Sequence, residues 1–132
     1  MPIHASGPFE VELIPQSQDT AEGTTLGRMT LDKRFHGDLE AASKGEMLSA
    51  GAASGAAVYV AIERVTGTLQ GRAGAFVLVH QGVMTRDAQQ LTITVAPDSG
   101  AGELAGIAGQ MTITIADGQH AYDFAYTLGE AG

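Results

Sequence analysis

The chain has 132 residues, enough for one domain around one core, and contains no cysteine, tryptophan or asparagine. Fifteen acidic residues against seven basic ones give a formal charge of −8, and the basic residues are scattered rather than gathered into a stripe. That balance argues against nucleic acid or an anionic membrane surface as a partner, and the missing cysteine excludes disulfides, thiolate metal sites and cysteine nucleophiles.

The opening residues, MPIHASG, lack the basic start and apolar run of a signal peptide. The most apolar run, residues 51–62, is too short and glycine-rich to span a bilayer, so a cytoplasmic location is expected. One domain covering 1–132 is expected, with strands throughout. Phe9, Val11 and Leu13 alternate with Glu10, Glu12 and Ile14 in a first strand that Pro15 ends, and 16–24 reads as a polar loop. Residues 26–35 form a second strand with Met29, Leu31 and Phe35 on one side. Gly37-Asp38 turns into a third strand, 39–49, whose alternation is poor. In that register Lys33, Lys44 and Glu46 share the face of Met29 and Leu31, which needs a bulge or a polar cavity wall. Residues 51–55 form a flexible connector.

Residues 58–69 and 75–84 are rich in β-branched and aromatic residues, and form the central hairpin around 70–73. With Gly71-Arg72 at the turn centre, Val65 lies opposite Leu78, and Glu63 lies opposite His80. One face holds Tyr59, Ala61, Glu63, Val65, Phe76, Leu78 and His80. The other holds Val60, Ile62, Arg64, Val77 and Val79. Both faces are partly apolar, whereas a sheet with one face in water alternates more cleanly, so a partner is expected on the outer one. That partner is read as a second copy, in a homodimer or larger homo-oligomer, with Val60, Ile62, Val77 and Val79 at the contact.

Residues 91–95 form the next strand, stopped by Pro97, and 99–109 reads as a glycine-rich ordered loop. Met111, Ile113 and Ile115 alternate with Gln110, Thr112 and Thr114. Asp117-Gly118, a type I′ turn pair, places Ile115 opposite His120, Ile113 opposite Tyr122 and Met111 opposite Phe124. The total is eight strands joined by short loops without a helix. The fold class is therefore all-β, an eight-stranded antiparallel closed barrel, which removes exposed edges and whose interior is either packed solid or holds one small ligand.

Phe35-His36-Gly37-Asp38-Leu39, Glu46-Met47-Leu48, the block from Tyr59 to Gly67 and Gly102-Glu103-Leu104-Ala105-Gly106 together resemble bacterial domain-of-unknown-function family 3224 over nearly the whole chain. That family is similar in fold to allene oxide cyclase and dirigent-type barrels. The resemblance implies an eight-stranded, often oligomeric barrel and no established activity. The cysteine associated with the allene oxide cyclase pocket has no counterpart here, so cyclase activity is an analogy of fold, which does not fix function.

The candidate catalytic pair is Glu63 and His80. A desolvated carboxylate has a raised pKa and serves as acid or base near neutrality, with the imidazole as its partner. The alternative is an ion pair satisfying two polar groups. Candidate ligand-binding residues are Tyr59, Tyr122, Tyr126 and His120, which line a cavity for an aromatic or lipid-like ligand or pack as ordinary amphipathic side chains. Arg64 is a further candidate, for a ligand carboxylate if the faces are reversed and otherwise for an acid on the surface. His4, His36, His80 and His120 show no metal-ligand spacing. The 100–109 loop misses the dinucleotide spacing and leads to a strand rather than a helix. No metal and no cofactor are expected. Three functions stay open: a barrel binding a small hydrophobic molecule with isomerase- or cyclase-like proton transfer by Glu63, a carrier without turnover, and a filled barrel serving as a structural or interaction module.

Overall fold

A computed structural model describes residues 2–129. Their strands are β1 (Ile3–Ala21), β2 (Thr24–Phe35), β3 (Leu39–Ala52), β4 (Ala57–Leu69), β5 (Arg72–Met84), β6 (Gln89–Val95), the two-residue β7 (Ala101–Gly102), β8 (Ala108–Ala116) and β9 (Gln119–Thr127). The order β4-β3-β2-β1-β9-β8-β6-β5 is closed by pairing of β4 with β5, giving the expected eight antiparallel strands as a ring, with β7 attached to β5. No helix among the described residues is long and apolar enough to cross a membrane.

Turn chemistry sets the registers. Asp117 and Gly118 have φ of 53° and 76°, the left-handed pair of a type I′ turn, and the β8–β9 register is the expected one. The central hairpin corrects the expectation. Its turn is Gln70-Gly71, at φ 46° and 88°, so Glu63 lies opposite Leu78 and Ala61 opposite His80. This shift of two residues keeps every side chain on its expected face, as the period of a strand requires.

Paired residues lead from Pro15 through Met29, Met47, Ala61, His80, Ile93, Met111 and Phe124 back to β1 at Ala5, ten residues before the start (15 to 5). Such stagger tilts the strands of an eight-membered ring and leaves an interior about as wide as its side chains. Phe9, Phe35, Leu39, Leu69, Phe76, Leu78, Phe124 and Tyr126 fill it, with stacked ring pairs at Phe76–Phe124 and Phe124–Tyr126.

Three further expectations are corrected. Pro15 does not end β1, because its missing N–H falls on the flank turned away from β2, and past a bulge between Pro15 and Ser17 the strand pairs with β2 to its end. The expected loop 16–24 is therefore mostly strand. The flexible connector is shorter than expected too, since β3 continues to Ala52. Lys33 and Lys44 part company: Asp32 pairs with Lys44 and Thr30 with Glu46 on the outside, while Lys33 pairs with Ser43 on the inside.

The two ends of the ring differ. One is shut by Leu104 and Ile107 from the 99–109 loop, both buried, and by a hydrogen bond from the Tyr126 hydroxyl to Gln70 Oε1. At the other, β1–β9 pairing stops at Phe9–His120, and β6 and β8 pair only at Ile93–Met111 and Thr94–Gln110. Beyond those points β1 to β6 continue paired to one another, and the β8–β9 hairpin pairs with neither β1 nor β6.

Candidate functional site

One side chain from each of four successive strands meets inside the ring. Lys33 comes from β2, Ser43 from β3, Glu63 from β4 and His80 from β5. All four are buried, and Glu63 is 0% exposed. Glu63 Oε1 accepts from Ser43 Oγ at 2.8 Å, and Oε2 accepts from Lys33 Nζ at 2.8 Å and from His80 Nε2 at 2.5 Å. The strands supply this meeting by their stagger: Glu63 lies diagonally from both Ser43 and His80, within reach of long side chains. Gly45, directly opposite Glu63, leaves the room. A Cβ there would run into the Ile62 carbonyl oxygen and stand 2.7 Å from Glu63 Cα. Lys33 is held further by the rings of Phe9 and Phe35, 5.3 and 5.7 Å from Nζ to their centroids.

The electrostatics reverse the expected direction for Glu63. Burial alone pushes its carboxyl up, but the hydrogen bond from His80 and the charges of Lys33 and His80 outweigh that push and hold it at about 2. Glu63 is therefore an ionised acceptor at neutral pH and a poor proton carrier there. Since an ionised carboxylate offers only acceptors, the proton between the two residues sits on His80 Nε2. His80 Nδ1 makes none of the hydrogen bonds of the described residues, yet no buried side-chain nitrogen or oxygen among them is left unpaired. Nδ1 is thus the part of this 5%-exposed imidazole that reaches solvent-accessible space.

Above the network the inner wall turns apolar and open. Alternation from buried Phe9, Leu31, Ala61, Ile93 and Met111 carries Val11, Leu13, Met29, Tyr59, Leu91, Ile113 and Ile115 onto the same inner face, with Met47 joining from β3. Leu13, Leu91 and Ile115 are nevertheless 44%, 45% and 66% exposed. Beside them a groove of about 540 Å³ opens between β1 and the β8–β9 hairpin, walled by Phe9, Val11 and His120 among others. His120 stacks obliquely on Phe9 with 5.2 Å between ring centroids.

The expected ligand-binding residues separate into three places. Tyr59 stands at the open end, packed against Gly82, with burial first and Glu63 second raising its hydroxyl pKa. His120 lies at the rim of the same end. Tyr122 and Tyr126 lie in the packed core: the Tyr122 hydroxyl donates to the His36 carbonyl and accepts from the Leu39 N–H, and Tyr126 holds Gln70. Arg64 is on the outer face, opposite Lys44, with the faces as expected. Lys33, expected beside a bulge or in a polar cavity wall, completes the network with Ser43, which was not singled out from the sequence. Among the described residues no cluster of His, Asp and Glu is arranged to hold a metal ion.

The outer face of β2 to β5 is the second unusual surface. Successive pairings set Leu26, Ala50, Val58 and Val83 in one row, and Arg28, Leu48, Val60 and Gln81 in the next. A third holds Thr30, Glu46, Ile62 and Val79. Leu26, Leu48, Val58, Val60 and Ile62 are all exposed there, around a groove of about 490 Å³.

Comparison with known proteins agrees with the architecture. A family model described as a protein of unknown function, DUF3224, matches residues 5–126. The chain is similar to a crystal structure of a protein of unknown function from that family in Shewanella oneidensis MR-1, with 49% identity and a TM-score of 0.94 over 99% of this chain and 100% of that one. No curated protein matches.

Proposed function

The chain belongs to the DUF3224 family, whose function is unknown, and from that premise we propose that the open end of the ring receives a small hydrophobic molecule without Glu63 acting on it as a proton carrier. The observation that carries this reading is the exposure of Leu13, Leu91 and Ile115 on the inner wall, at the end left unsealed, while the opposite end is shut by Leu104 and Ile107. Apolar side chains aimed at a common space, with few polar groups beneath them, are the usual make-up of a small-molecule site. The lower interior is filled, so the ligand occupies the mouth rather than the centre. An allene-oxide-cyclase-like barrel remains the picture of the fold in this reading, taken for its mouth and not for a cyclisation.

Titration with the neutral fluorescent probe N-phenyl-1-naphthylamine tests it. Saturable binding at one site is expected, weakened at least tenfold by Leu13→Gln combined with Ile115→Ser, which alter exposed positions and spare the core. Absence of saturable binding up to about 100 μM, a Kd weaker than about −5.5 kcal/mol, overturns the reading.

The outer face favours a second reading alongside the first, a homodimer through β2 to β5. Five exposed aliphatic side chains in adjoining rows form an apolar patch of the kind that marks an interface, on the order of several hundred Å².

A further inference from the structure

We propose that His80 Nδ1 is the polar contact of the open end and that the molecule received there carries a hydroxyl group on an apolar body; this rests on the binding reading above. In the uncharged form of the ring, with Nε2 donating to Glu63, Nδ1 is a bare acceptor. Its neighbours on the inner face cannot satisfy it. Ala61 lies opposite on β4, Ile93 opposite on β6, and Gly82 follows two residues along β5. The Tyr59 hydroxyl makes none of the hydrogen bonds of the described residues, so it does not fill the role either. An apolar ligand that covers Nδ1 takes it away from solvent and leaves a desolvated acceptor, which is unfavourable unless the ligand itself supplies a donor.

The rest of the network narrows the choice of donor. An ether or a carboxylate brings only acceptors and faces the Nδ1 lone pair. An ammonium brings donors, but it enters beside Lys33, whose Nζ shares Glu63 Oε2 with His80. A neutral hydroxyl donates to Nδ1 without adding a second cation. Glu63 is then a positioning residue, since it fixes the tautomer and angle of His80 and does not touch the ligand.

Paired probes separate the donor from the apolar body. Fluorescence titration with 1-naphthol and 1-methoxynaphthalene, which differ chiefly in the ability to donate, is expected to show 1-naphthol binding about tenfold more tightly to the wild-type protein. His80→Phe is expected to bring the two within about twofold. His80→Gln, whose amide oxygen accepts, is expected to keep part of the preference and serves if the phenylalanine variant does not fold. Equal affinities in the wild type, or an undiminished preference in both variants, overturn the inference while leaving the receptor reading in place. Binding of neither probe overturns both.

Discussion

Replacing Glu63 by glutamine keeps the size of the side chain and removes its charge, and the cost follows from the network. The carboxyl is held at about 2 in the folded protein against 4.5 for the free group. That difference of about 2.5 units, at about 1.4 kcal/mol each, makes ionised Glu63 worth about 3 kcal/mol to folding at neutral pH. Because the folded value is the lower one, the contribution is complete above pH 4.5 and is lost as pH falls towards 2. At pH 3 less than half of it is left. Urea unfolding of wild type and Glu63→Gln, followed by circular dichroism at steps from pH 7 to pH 3, measures the gap between them. Groups that do not touch Glu63 cancel in that gap. A gap of about 3 kcal/mol or more at pH 7, with any excess coming from an unpaired Lys33, should shrink by about 2 kcal/mol at pH 3. A gap of unchanged size across that range, or no gap at pH 7, would refute an ionised Glu63 held by Lys33 and His80.

Gly45→Ala is expected to cost more than 2 kcal/mol in the same denaturant assay, because its Cβ would run into the Ile62 carbonyl oxygen and backbone must move to relieve it. Ile62→Asp sits at an exposed outer position and is expected to leave the circular dichroism of the folded chain unchanged while converting a dimer to a monomer. Sedimentation velocity at micromolar concentration reads this, and a wild-type protein already monomeric there removes the homodimer.

Strand periodicity and turn residues carried most of the fold. Asp117-Gly118 set a whole hairpin register, because a type I′ turn joins two strands across two residues with a twist that matches their own. Gln70-Gly71 was harder to read, since the left-handed position falls on a glutamine, which composition does not flag. The β1 continuation past Pro15 was hidden for a related reason: a proline is tolerated where its N–H faces no partner, and nothing in QSQDTA shows that a neighbouring strand will pair with it. At the site, Glu63 and His80 were legible as polar residues in an apolar register. Their chemistry was not, because the state of Glu63 depends on Lys33 and Ser43, brought in from strands 30 and 20 residues away. Whether a buried carboxyl rises or falls is decided by its partners as much as by burial, and partners belong to the tertiary structure.

The bulge in β1 has a consequence for how copies of this chain keep apart. Above Phe9 the strand presents one flank of unpaired peptide groups, a template on which another chain could add itself and continue indefinitely. Pro15 deletes one donor from that template, the kink at Ser17 spoils its straightness, and Glu10, Glu12 and Asp19 charge it negatively. Deleting Gln16 would realign the flank into a regular ladder, turning a self-limiting molecule into one prone to fibre growth.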